Sequence, residues 1–163
     1  MSFVFPKGAR EFFKAIERQR DGGQKFIMFD QYYCCLLAGL ESRRIGVEDD
    51  LEGEAFINAY PEDYRLQADI IAGLLIDAEL DRKAIAPEDK ASIEREMVKL
   101  LNPTSPTRLS EEGNRLLNLY AAEGFRLVHD RLMPPSGLEE FLVAYHGFWH
   151  DQPDEPGVLN GDR

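Results

Sequence analysis

The chain is short of the residues that most protein chemistry relies on. Its 163 residues include two cysteines, three histidines and one tryptophan. Cys34 and Cys35 are adjacent, and neighbouring residues rarely reach disulfide geometry without strain, so no disulfide framework is expected. Zinc sites normally space their cysteines by two to four residues, which an adjacent pair does not. No glycine-rich phosphate loop, nucleophile elbow or HExxH motif occurs, which removes the commonest sequence signs of an enzyme. No apolar run approaches the roughly 18 residues of a membrane-spanning helix, and no N-terminal stretch combines a basic start, an apolar run and a cleavage site. A cytosolic, non-catalytic protein without cofactor and without membrane contact is therefore expected. Strand-like alternation is also nearly absent.

What is present is helical periodicity and acid. The expected class is mainly α: a compact bundle of about six helices, with one short strand possible near residues 25–29. Residues 1–150 read as a single domain, since 44% of the chain is hydrophobic and a chain of this length buries about 70% of its unfolded surface. Residues 151–163 read as a disordered acidic tail. Pro6 is placed at the start of a helix running to about Arg20, and Asp30 at the N-cap of one reaching about Arg44. Pro61 and Pro87 open helices to about Lys83 and Leu101. Ser110 caps a helix to about Arg131, and Ser136 with Glu139 has capping-box spacing for a last helix to about His150. The segment Glu48 to Asn58 reads as an acidic loop, without the ligand pattern of a calcium loop.

On the second helix Gln31, Cys35, Ala38 and Ser42 share one face, opposite Tyr33, Leu36, Leu37 and Leu40. That small seam gives the cysteines a packing role, since free cysteine behaves in cores as a small hydrophobe. Gly73 and Gly124 sit inside helical segments, where glycine costs about 1 kcal/mol against alanine, and are expected to permit close helix contact. Together with Gly39 these positions predict a homo-oligomer. The helix after Pro61 is apolar nearly all round, as suits a central helix, apart from Arg65, Asp69 and Asp77 on the stripe of Gly73. An Arg65–Asp69 ion pair is expected there, with Asp77 answered by an arginine from another helix. His146 and His150 lie one turn apart. They read as an exposed or aromatic-packed pair, or as two metal ligands that lack an evident third.

Charge is unevenly spread. Residues 1–46 carry eight lysines and arginines against five acids, a net +3 within a total of −11, which leaves −14 for the rest. On the first helix Ala9, Phe12, Phe13 and Ile16 form an apolar face, with Lys7, Arg10, Lys14 and Arg18 on the opposite side. Such a stripe can follow a phosphate backbone, with Lys25, Arg43 and Arg44 as secondary contacts, or can be a solvated face countered by Glu11 and Glu17. A second candidate surface is protein-binding: the aromatic residues Phe141, Tyr145, Phe148 and Trp149 of the last helix, read as exposed.

The order of segments, with the helix-like stretches FDQYYCCLLAGLESRR, YRLQADIIAGLL and LNLYAAEGFRLVHDRL, resembles the DndE-type family of DNA sulfur modification proteins. The resemblance covers roughly residues 5–132, and its nearest point is Ala121-Ala122-Glu123-Gly124, similar to a small-residue and glycine step in the last family helix. It implies a small non-catalytic subunit of a bacterial DNA phosphorothioation and phage-defence system. Such a subunit self-associates, contacts duplex or nicked DNA, and works beside sulfur-transfer and ATPase subunits. The alternative is an acidic helical adaptor that binds only protein.

Overall fold

The computed structural model describes residues 2–18 and 26–151. Among these the fold is mainly α, with seven α-helices and a two-stranded antiparallel sheet. Strand β1 (Phe3–Pro6) pairs with β2 (Leu51–Ile57), with Phe3 opposite Ile57, Val4 opposite Ala55 and Pro6 opposite Leu51. Two short helices follow β1, α1 (Ala9–Phe12) and α2 (Lys14–Arg18), and then α3 (Met28–Ser42). After β2 come α4 (Ala68–Arg82), α5 (Lys90–Leu100), α6 (Glu111–Arg131) and α7 (Leu138–His150). One hydrophobic cluster runs through all of them except α5's outer turns. No described helix is long and apolar enough to cross a membrane.

The sheet corrects the expected topology. Phe3-Val4-Phe5-Pro6 is a continuous apolar run, and all four residues are buried. It is a short core strand, and Pro6 ends it instead of opening a helix. Its partner is the stretch read as an acidic loop, of which only Glu48–Asp50 is a helical turn. No strand forms near residues 25–29: Phe26 and Ile27 lead directly into α3, Met28 and Phe29 are its first two residues, and Lys25 lies outside the described residues. The other edge of β1 meets α6 through one side chain. Asn118 Oδ1 accepts the Val4 N–H at 3.0 Å and the Tyr32 hydroxyl at 2.8 Å, and its Nδ2 donates to the Ser2 carbonyl at 2.9 Å. A buried amide is tolerated because it is paired on both sides.

The packing axis is the crossing of α3 and α6. A Cβ built on Gly124 would land on the Cys35 carbonyl oxygen, and one on Gly39 would land on that of Tyr120. The two backbones therefore touch, and Gln31, Cys35 and Ala38 of the small seam are buried inside one chain, with Ser42 half-buried at its end. It is not the surface on which a second copy sits. The central helix is α6, not α4: thirteen of its residues are buried, whereas α4 keeps Ile70 59% exposed, and Leu66 just before it is 95% exposed.

Several helix ends shift for local reasons. Asp30 lies in the first turn of α3 and accepts the Ile27 N–H at 2.7 Å. Residues Glu62–Gln67 form a 3-10 turn before α4. Asp89 caps α5, its side chain accepting the Ser92 N–H, and Ser110 caps α6 through the Gly113 N–H at 3.1 Å. At α7 the bonding partner of Ser136 is Glu140, not Glu139. Asp151 closes α7, its N–H reaching the Gly147 carbonyl at 2.7 Å; the expected disordered tail beyond it lies outside the described residues.

Three of the helical glycines, Gly39, Gly73 and Gly124, have opposite environments, and stability should report it. Gly39→Ala or Gly124→Ala forces two backbones apart and should cost at least about 2 kcal/mol. Nothing lies within 4 Å of a Cβ on Gly73, so Gly73→Ala should gain about 0.5–1 kcal/mol from helix propensity. Denaturant midpoints of the three variants test both signs.

Candidate functional site

The residues singled out as a basic stripe do not lie along one helix, since Lys7 precedes α1, Arg10 belongs to α1 and Lys14 and Arg18 to α2. Phe12 and Phe13 are adjacent, and both are buried. The chain breaks at Phe13, between α1 and α2, so the two short helices do not share one axis. Lys7 precedes α1 and is exposed. The Arg10 guanidinium holds the Glu52 carboxylate in a fork, with Nε at 2.6 Å and Nη2 at 2.9 Å, and lies over the Phe5 ring at 5.2 Å. That carboxylate raises the Arg10 pKa above its ordinary value. Lys14 lies 3.6 Å from Glu11. The Arg18 side chain and Lys25 lie outside the described residues.

Arg43 is also occupied. It ends α3 in the left-handed region, at φ 57°. Its Nη1 donates to the Leu40 carbonyl, its Nη2 to Asp77 at 2.7 Å and its Nε to Asp81 at 3.0 Å. The arginine expected to answer Asp77 is therefore Arg43, and it staples α3 to α4. The expected Arg65–Asp69 ion pair does not form among the described residues. Lys7 and Arg44 remain exposed without an ion pair to a described residue.

The aromatic face of α7 points inward, against expectation. Phe141 and Phe148 are buried, and the Tyr145 hydroxyl donates to the Cys34 carbonyl at 2.7 Å. Trp149 packs half-buried on Tyr145 and Phe148. Spacings of four and three residues put 141, 145 and 148 on one helical face, and an aromatic face so spaced is a core face first. The His146 and His150 rings lie 4.2 Å apart between centroids, tilted by 37°, and both are exposed. His129 is elsewhere, beside Phe12 and Phe125. Among the described residues no three of His, Cys, Asp or Glu are grouped to hold a metal ion.

Both cysteines are free and serve packing. Cys35 is fully buried at the α3–α6 crossing. Burial, reinforced by nearby Asp30, pushes the Cys34 thiol up to about 12, and burial raises Cys35 well above its usual range. Thiols held protonated are poor nucleophiles and poor metal ligands.

The site that sequence reasoning missed is a groove of about 500 Å³ between α4 and α5. Ala72, Gly73 and Ile76 form one wall and Met97 the other, with Leu101 and Pro103 at the end. Helix α4 turns Ala68, Ile71, Leu75 and Ala78 onto the core, which leaves Ile70 and Gly73 facing out. Because Gly73 carries no side chain, the wall is recessed there. The end wall is a stiff loop. Asn102 N–H donates to the Arg108 carbonyl, Leu101 bridges Leu109, and buried Thr107 accepts from Asn114 Nδ2 at 3.1 Å. Met97 is 42% exposed at the groove, and Leu66 just before α4, Ile70 on α4 and Val98 on α5 are exposed as well. Asp69 stands on one side and Arg108 on the other, neither ion-paired among the described residues. No nucleophile or coupled acid–base pair lines the groove; its chemistry is apolar contact between two opposite charges. The available signal was the all-round apolar character of α4, which one buried face cannot absorb.

Comparisons with family models, curated proteins and solved structures find no match.

The cysteine assignment has a direct check. Replacing Cys34 and Cys35 together by alanine should cost roughly 1–3 kcal/mol through lost packing. In the native protein both thiols should react with an aromatic disulfide far more slowly than after unfolding. Rapid labelling of two thiols under native conditions would contradict it.

Proposed function

We propose that this chain is a non-catalytic helical adaptor, which captures an apolar helical segment of a partner protein in the groove between α4 and α5. The observation that carries the reading is the recessed apolar groove lined by Ala72, Gly73, Ile76, Met97, Leu101 and Pro103, between two helices that also expose Ile70 and Val98. Exposed apolar side chains scattered singly are ordinary, but an apolar concavity open to solvent marks an interaction surface. A partner helix presents apolar anchors at spacings of three, four and seven residues. Asp69 and Arg108 at the rim favour a segment with a basic residue toward the first and an acidic one toward the second, which sets its direction.

The resemblance to DndE-type proteins supplies the first partners to try, the sulfur-transfer and ATPase subunits of a DNA phosphorothioation complex. Direct contact with duplex or nicked DNA is the second reading. It rests on Lys7 and Arg44, which are exposed and make no ion pair with a described residue. Arg10 and Arg43 would each have to leave a carboxylate to reach a phosphate.

The two readings separate in one experiment. The wild type, an Ile70→Asp/Met97→Asp variant and a Lys7→Gln/Arg44→Gln variant are assayed against the purified partner subunits and against a labelled nicked duplex. The adaptor reading expects subunit binding that is lost at least about tenfold in the groove variant and unchanged in the charge variant. DNA binding through the cations expects affinity falling with salt, by a log–log slope near −0.9 per phosphate neutralised, and a slope shallower by about two in the charge variant. Subunit binding that survives the groove substitutions at full strength sinks the adaptor site.

A further inference from the structure

We propose that the outward face of α7 is a self-recognition surface, on which two copies of this chain pair antiparallel about a two-fold axis passing between Leu142 and Val143. This goes beyond the capture proposed for the α4–α5 groove, and it uses a different helix.

The face is defined by the burial of its opposite. At about 100° per residue, Glu139, Leu142, Val143, His146 and His150 fall within an arc of about 100°, directly away from buried Phe141 and Phe148. Val143 is 70% exposed and Leu142 48%. Val143 borders two shallow depressions. One, of about 390 Å³, runs along Leu138, Leu142 and His146. The other, of about 490 Å³, lies between α7 and the end of α6, beside Leu132 and Phe148. Val143 is thus a ridge beside a groove, and a ridge of one helix packs into the groove of another.

The occupant follows from the order of polar groups along the face. Glu139 stands in the first turn of α7, and His146 and His150 in its second half. In a parallel pair like residues would meet, placing acid beside acid. An antiparallel pair centred between residues 142 and 143 sets Leu142 against the partner's Val143 and Glu139 against the partner's His146. The same apolar residues and the same carboxylate–imidazole pair then occur twice, as a two-fold contact requires. An imidazole N–H donating to a carboxylate satisfies both groups at the rim of the apolar centre. One helix face covers less than the roughly 800 Å² per partner of a standard interface, so the dimer is expected to be weak and concentration-dependent, on the order of micromolar.

Sedimentation equilibrium over a range of concentration tests this on the full chain. The wild type should dimerise, and Val143→Glu should raise the dissociation constant at least about tenfold. His146→Glu should weaken the dimer by setting two acids against each other. Adding Glu139→Lys to His146→Glu should restore it, because a lysine then faces each new acid. All three variants should melt with the wild type, since these side chains point away from the core. Ile70→Asp should leave the dimer intact, which separates this contact from the groove. A wild type that stays monomeric at about 0.5 mM overturns the proposal, as does a dimer indifferent to Val143→Glu or a double substitution that fails to recover.

Discussion

Backbone contact between α3 and α6 is the constraint on which the molecule depends. Gly39 and Gly124 remove the side chains that would hold the helices apart, so the Cys35 and Tyr120 carbonyls meet the opposite helix directly. Close approach brings more atoms within dispersion range, and leaves no room for adjustment. Once this crossing is set, Cys35 and Ala38 have small spaces to fill. Tyr32 is carried to Asn118, and Asn118 in turn reaches β1. The strand is thus positioned by a helix whose place is decided at the crossing.

Buried polar groups add register to that contact. Glu79 on α4 is fully buried, yet Arg82 holds it through two bonds of 2.6 and 3.0 Å, and Tyr120 of α6 reaches it at 3.4 Å. An unpaired carboxylate there would cost several kcal/mol, so α4 has one position in which the acid is satisfied. Burial, with Glu79 close by, pushes the Tyr120 hydroxyl up to about 12, which keeps it protonated as a donor. Arg43 adds a second staple to Asp77 and Asp81. The cost of this arrangement falls on the basic side chains, since those engaged in the fold are poorly placed to contact phosphate.

Two apolar surfaces remain after the core is complete. The groove between α4 and α5 is recessed and flanked by opposite charges, which suits a helix from another protein. The α7 face is convex, and its order of carboxylate and imidazole groups is self-complementary, which suits a second copy. They lie on different helices, so a dimer formed through α7 leaves each groove available and would present two grooves to a partner. Such pairing raises apparent affinity for a bivalent partner without any new contact.

Local chemistry was readable residue by residue: the mainly α class, Ser110 as a cap, the inward Phe12 and Phe13, the packing cysteines, and an arginine owed to Asp77. Each depends on neighbours within a few positions or on a side chain's own cost of burial. Pairing at long range was not readable. Phe3-Val4-Phe5-Pro6 becomes a strand because Leu51–Ile57 lies alongside it, some fifty positions away, and no local pattern names that partner. Arg10 looked free until the same pairing brought Glu52 beside it. The aromatic residues of α7 were correctly grouped on one face, but a periodicity gives a face and not its direction. Which side of α7 meets the core follows from where Phe13, Phe26 and Cys34 stand when the helices have packed.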